Sequence, residues 1–67
     1  MTRLQIRTAT APPDEFTRAF PHLLPQADPA STTLMGDLVD QHALLAVLDR
    51  LDMLGIRVLE VVTLPDD

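Results

Sequence analysis

The sequence contains no cysteine, lysine, tryptophan or tyrosine in its 67 residues, and these absences exclude several kinds of site. Without cysteine the chain forms no disulfide, no Cys-ligated zinc site and no thiol nucleophile. Without lysine it has no side-chain amine for Schiff-base chemistry. Its two glycines, Gly36 and Gly55, are too few and too far apart for a phosphate loop or a dinucleotide-binding motif.

Positive charge is also scarce, since ten acids face five bases, all arginine, and the net charge is −5. An acidic domain is repelled by phosphate backbones and by anionic lipids, so neither nucleic acid nor a membrane is an expected partner. No apolar run approaches the length of a transmembrane helix. The first residues lack the continuous apolar stretch of a signal peptide, which predicts a cytoplasmic protein.

The length predicts a single small domain over residues 1–67 with a thin core. Domains of this size usually need a disulfide, a metal or a partner chain for stability. Since disulfides are excluded, packing and self-association are the expected stabilisers. An apolar content of 46% is ordinary for a globular chain and argues against disorder.

The N-terminal half predicts a strand, a short helix and an uncertain segment. Residues 2–8 alternate apolar and polar side chains, which is typical of a half-buried strand. Residues 13–20 begin at the second of two adjacent prolines, continue with two acids and carry Phe16 and Phe20 one helical turn apart. They therefore predict a helix that buries both rings. A second strand is expected near residues 22–28, but prolines recur every four residues there and would confine it to an edge.

The C-terminal half predicts a strand, a longer helix and a second strand. Residues 31–35 have strand composition, and Gly36 then allows a tight turn or a close backbone approach. A helix over residues 39–54, capped by Asp37 or Asp40, ends at Gly55. Its apolar stripe comprises Leu44, Val47, Leu48, Leu51 and Leu54. Residues 56–64 read as a strand rich in branched side chains, followed by Pro65, Asp66 and Asp67 as a frayed tail.

This order of elements predicts an α/β (α+β) fold. The expected architecture is a ferredoxin-like two-layer sandwich, βα(β)βαβ, in which the second strand is weak or absent. Both helices are expected on one face of a mostly antiparallel sheet.

The segment from Thr33 to Leu44, TLMGDLVDQHAL, resembles a group of small uncharacterised bacterial proteins. Their pattern is roughly T-x-L-x-G-x-[LV]-x-D-Q-x-A-L, followed by an amphipathic helix, an L-G turn and a short strand. Leu54-Gly55 and the segment from Val58 to Val61 match that continuation, so the resemblance covers about half of the chain, residues 32–62. This resemblance supports the fold and implies no activity. The chain is more distantly similar to the βαβ half of ACT-type regulatory domains, which dimerise and bind small effectors.

The central motif, Gly36, Asp37, Asp40 and Gln41, has an architectural and a ligand-binding interpretation. In the first, Gly36 ends the strand, Leu38 packs under the helix, Asp40 lies at the helix N-terminus, and Gln41 bonds to a loop or a partner chain. In the second, the strand–helix turn holds a ligand. The two aspartates would repel an anion at the helix N-terminus, which counts against the second interpretation.

The remaining polar residues form no recognisable catalytic or metal-binding pattern. His22 and His42 lack the spacing of zinc ligands, and the aspartates do not follow a calcium-loop spacing. Solvated surface side chains are the simpler interpretation for all of them. We therefore expect no catalytic residue, no cofactor and no metal site, and the sequence does not predict an enzyme.

The alternation of the last strand predicts an interface. Glu60 shares a face with Val58 and Val62, and Arg3 and Arg7 of the first strand would lie on the same open side and could pair with Glu60. We expect these five residues to form a homodimer interface. The functional hypothesis is a non-catalytic interaction or regulatory module that self-associates and that could also bind another protein. The alternatives are an ACT-type small-ligand sensor and an acidic antitoxin-like or nucleic-acid-mimicking inhibitor.

Overall fold

The computed structural model describes residues 2–38 and 40–65, which form four strands and two helices. In chain order the elements are β1 (Thr2–Thr8), α1 (Asp14–Ala19), β2 (Leu24–Ala27), β3 (Thr32–Leu38), α2 (Gln41–Met53) and β4 (Val58–Pro65). The predicted α+β class is confirmed, with one sheet and two helices.

The four strands form one antiparallel sheet in the order β2-β3-β1-β4. β1 and β3 are central and each pairs with two neighbours. β2 and β4 are the edges. Because β1 and β2 both run antiparallel to β3, they are parallel to each other, and α1 connects them across β3. α2 connects the parallel strands β3 and β4 across β1 in the same way.

The core lies between one face of this sheet and both helices. Leu4, Ile6 and Thr8 are buried at alternate positions of β1, as the period of two predicts. The apolar side chains buried in the same cluster are Leu4, Ile6, Phe16, Leu23, Leu34, Val47, Leu51 and Ile56. Since this cluster includes residues of both helices, both pack on the same face of the sheet.

Helix α1 is shorter than predicted and buries one ring fully. Phe16 is buried, whereas Phe20 is half-buried and caps the C-terminus, where its N–H donates to the Phe16 carbonyl at 2.9 Å. The two ring centroids are 4.9 Å apart. Pro21 follows directly and prevents continuation of the helix.

The second strand, which we expected to be weak or absent, is present as the short strand β2. It has four residues, all exposed, and pairs only with β3, which is the edge position that Pro25 allows. Leu23 just before it is buried, and the sequence did not single it out as a core residue.

Gly36 does not end the third strand, contrary to our expectation. It lies within β3 directly opposite Leu4, and the strand continues to Leu38. The backbone of His22 packs against Gly36 so closely that a Cβ there would clash with the His22 carbonyl. The close backbone approach that glycine permits is therefore its role.

Helix α2 carries the predicted stripe and is slightly shorter than the predicted range of residues 39–54. The Asp40 side chain accepts a hydrogen bond from the Ala43 N–H at 2.8 Å, so Asp40 and not Asp37 is the cap. Gly55 has a positive φ of 72° after the last turn. Val39, the first residue of the predicted helix, lies outside the described residues. Within the described chain, neither helix is long and apolar enough to cross a membrane.

Strand β4 contains a β-bulge that the sequence does not reveal. Its register with β1 shifts between Arg7 and Thr8, which face Glu60 and Val58 respectively, so Leu59 is an extra residue. Val58 consequently lies opposite the buried Thr8 and packs against the core. Our assignment of Val58 to the open side of the sheet was wrong for this reason. Of the predicted tail, Pro65 belongs to β4, and Asp66 and Asp67 lie outside the described residues.

Candidate functional site

The face of the sheet opposite the helices, called here the open face, carries three rows of directly opposed side chains. The first row is Asp37, Arg3 and Leu64; the second is Leu24, Met35, Gln5 and Val62; the third is Gln26, Thr33, Arg7 and Glu60. Four of the five predicted interface residues are therefore on one surface, and Val58 is the exception.

The apolar side chains of the open face lie towards its two edges. Leu24 on β2 is 67% exposed and Leu64 on β4 is 44% exposed. Met35 and Val62 are half-buried by their neighbours. Leu24 and Met35 were not among the predicted interface residues, because the prediction considered only the first and last strands on this side of the sheet.

The charges of the open face balance. Arg7 and Glu60 form the predicted ion pair across β1 and β4, with Nη2 and Oε2 3.8 Å apart. Both side chains are about half exposed, so the pair contributes at most about 1 kcal/mol to stability. Arg3 lies directly opposite Asp37 on β3. Two arginines thus face two acids, and the net charge of −5 is carried by the rest of the chain.

A shallow groove of about 460 Å³ lies at the β2 side of the open face. Its polar lining includes Arg3, Gln5, His22 and Asp37, and Leu24 and Met35 contribute apolar surface. The groove is partly open to solvent. It is large enough for a small ligand or for the side chains of a packed neighbour.

The predicted ligand turn is divided by the fold. Gly36 is covered by the His22 backbone, and Asp37 projects from β3 among the residues of the open face. Asp40 is engaged as the helix cap, and together with Gln41 it lines a separate cavity of about 350 Å³. Gly36 and Asp37 instead line the groove of the open face, so the four residues are divided between two places and do not converge on one site.

The two histidines lie apart on the surface. His22 is exposed beside the ring of Phe20, with centroids 6.3 Å apart, and His42 is exposed on α2. Among residues 2–38 and 40–65, no three His, Asp or Glu side chains come close enough together to hold a metal ion.

Comparison with known proteins places the chain in a family without naming an activity. No curated protein and no solved structure matches the chain. A family match extends over residues 3–62, which includes every described helix and strand at least in part. The chain belongs to the family described as a domain of unknown function, DUF8691.

Proposed function

We propose that this protein acts by association and not by catalysis, as a homodimeric interaction or regulatory module. The open face is its self-association surface. The observation that carries this proposal is the combination on one face of exposed Leu24 and Leu64 with a balanced set of charges. Burial of exposed apolar surface lowers the free energy, and a face with balanced charges adds no like-charge repulsion where two copies of this acidic chain meet.

The proposed fold type is ferredoxin-like. Its support is the strand order β2-β3-β1-β4 with a helix connecting each pair of parallel strands. In this arrangement both helices cover one face and leave the other free. The proposed setting is the cytoplasm, because a chain without cysteine needs no oxidising compartment to fold.

The outer side of α2 supports a second role within the same proposal. His42, Asp49 and Asp52 are exposed there, away from the buried stripe. In a dimer that stacks open faces, this acidic surface stays outward, where a second protein could dock. A basic protein that co-purifies with the dimer from its native host would instead favour an acidic inhibitor.

The experiment is to replace Val62 by Arg and to measure the solution mass by light scattering, from micromolar to submillimolar concentration. Val62 lies in the central row of the open face, so the added charge must be buried or must separate the two copies. We expect the wild type to be a dimer and Val62→Arg to shift towards monomer. Met53→Arg is the matched control, because Met53 is 72% exposed on α2 and distant from the open face. A monomeric wild type contradicts self-association, and an unchanged dimer in Val62→Arg contradicts the surface.

The groove of about 460 Å³ favours one rival, a small-ligand sensor of ACT type. Its lining combines a guanidinium, a carboxylate and two amides, which could orient a zwitterionic ligand. A thermal-shift panel of amino acids and nucleotides tests this rival. Stabilisation by one compound, lost in Arg3→Gln, would favour a sensor, and no shift across the panel would leave association as the better-supported function.

A further inference from the structure

We infer that two copies stack their open faces with the strands aligned, about a two-fold axis that runs along the strands between β1 and β3. This inference rests on the proposed self-association and specifies its geometry. Stacked sheets pack about 10 Å apart with their strand directions within about 30° of each other. Within that arrangement the axis could run along the strands or across them, and the pattern of charges distinguishes the two.

With an axis along the strands, the partner's strands lie in the reverse order. Each row of side chains then lies over the same row of the partner. β4 then lies over the partner's β2, and β1 lies over the partner's β3. Val62 faces the partner's Leu24, and Gln5 faces the partner's Met35. The two apolar edges of the open face thereby cover each other, which neither copy achieves alone.

The same axis places opposite charges together. In the first row Arg3 faces the partner's Asp37, and Asp37 faces the partner's Arg3. Since Arg3 also lies opposite Asp37 within its own sheet, the four charges alternate around the dyad. Such alternation is favourable for each neighbouring pair and is stronger where the interface excludes water.

An axis across the strands, centred on Gln5, has the opposite consequence. Each strand then lies over the same strand of the partner but runs in the opposite direction, so that Arg3 faces the partner's Arg7. Arg3 and Arg7 of each copy would then contact the partner's Arg7 and the partner's Arg3, which brings two pairs of guanidinium groups together at the centre of the interface. Like charges placed opposite each other are strongly unfavourable, and the aligned axis is preferred for this reason.

The shape of the open face agrees with the aligned axis. β2 begins at Leu24 and contributes no strand residue to the first row, so the groove beside His22 and Asp37 is left open at that corner. Leu64, 44% exposed, occupies the β4 end of the same row. Under the aligned axis it lies over the partner's groove. Each copy thus supplies one projecting leucine and one recess, as a two-fold interface requires.

The test is the substitution Arg3→Asp, because the two axes predict changes of opposite sign. Under the aligned axis all four charges of the first row become acidic, and we expect the dimer dissociation constant to rise by about tenfold or more. Under the crossed axis the new Asp would face the partner's Arg7, and the dimer would tighten. Sedimentation equilibrium measures the constant, and Arg3→Gln, which removes the charge without reversing it, should give an intermediate value.

A mixing experiment completes the test. The Asp37→Arg variant carries basic residues at the same four positions, so its homodimer should also dissociate. In an equimolar mixture with the Arg3→Asp variant, the acidic row of one chain faces the basic row of the other, and a heterodimer should form. Native mass spectrometry counts the species, and urea unfolding at low concentration verifies that each variant is folded. A wild type that stays monomeric removes the proposed function itself. A wild-type dimer that is unaffected or tightened by Arg3→Asp, or a mixture without heterodimer, overturns only the aligned geometry.

Discussion

At the scale of single residues, Gly36 determines how the edge of the sheet is covered. It lies within β3, and the chain that leads from α1 into β2 passes across it at His22 and Leu23. Leu23 is buried in the core at this point. The absence of a side chain at position 36 lets this segment approach the sheet, so that Leu23 completes the core.

Gly36→Ala should therefore destabilise the fold. The added methyl would clash with the His22 carbonyl and lie 2.9 Å from Leu23 Cδ2, so the entry to β2 must move. Overpacking of this kind costs about 1–3 kcal/mol, and a backbone obstacle gives little room for relief. Urea unfolding measures the loss. The control is Gly55→Asn, where no atom lies within 4 Å and Asn tolerates a positive φ. Equal stability of Gly36→Ala and wild type would refute the close approach.

At the scale of elements, α2 owes its stability to one face. Val47 and Leu51 are buried, and Leu44, Leu48 and Leu54 pack partly against the core. Leu45, one position from the stripe, is 62% exposed. A leucine in the stripe and a leucine outside it have the same helix propensity, but they bury different amounts of apolar surface.

The pair Leu51→Ala and Leu45→Ala tests this division. Leu51 is fully buried, so its truncation should cost about 2–5 kcal/mol through lost burial and the cavity left behind. Leu45→Ala should change stability by no more than about 0.5 kcal/mol, because its side chain is mostly in water. Thermal unfolding followed by circular dichroism compares the two. Similar losses in both variants would mean that α2 packs in a different orientation.

The edge strands show how local chemistry limits an element. Pro25 removes a backbone donor from β2, which remains four residues long and pairs on one side. β4 has eight residues, and its bulge at Leu59 changes which side chains reach the core. The bulge turns Val58 inward and leaves Glu60 beside Arg7, so both the core and the open face depend on this one extra residue.

At the scale of the whole molecule, folding and association should be coupled. The core is formed largely by a few buried side chains, as the small size of the chain requires. If the dimer buries the open face, association stabilises the folded state by mass action. The melting temperature of the wild type should then rise with protein concentration.

Val62→Arg gives the reference for that measurement. Since it should be monomeric, its melting temperature should not depend on concentration. Met53→Arg should behave as the wild type does, because its substitution lies on the exposed side of α2. Differential scanning calorimetry at several concentrations separates the three proteins. A concentration-independent wild type would indicate that the open face does not contribute to stability through a second copy.

The sequence by itself determined the elements whose signal is local. Alternation identified β1, and the 3.6-residue period identified α2 and its stripe. Gly55 marked the end of that helix, and the cap was narrowed to Asp37 or Asp40, of which the structure shows Asp40. The ion pair between Arg7 and Glu60 was also predicted, because strict alternation held over that part of both strands. Apart from the ion pair, whose prediction also required β1 and β4 to be antiparallel neighbours, these features depend on residues close in the chain. That is the distance over which side-chain pattern and capping act.

Only the tertiary structure decided the features that depend on pairing between distant segments. The strand β2 forms because it can pair with β3, although Pro25 within it opposes a strand. Position 36 of β3 must be glycine because the His22 backbone packs directly against it. Val58 faces the core because the bulge in β4 shifts its pairing with β1 by one residue. Leu24 and Met35 lie on the open face because β2 pairs with β3 and β3 pairs with β1 in this register. Register and close approach are properties of two segments at once, so no local pattern in either segment reveals them.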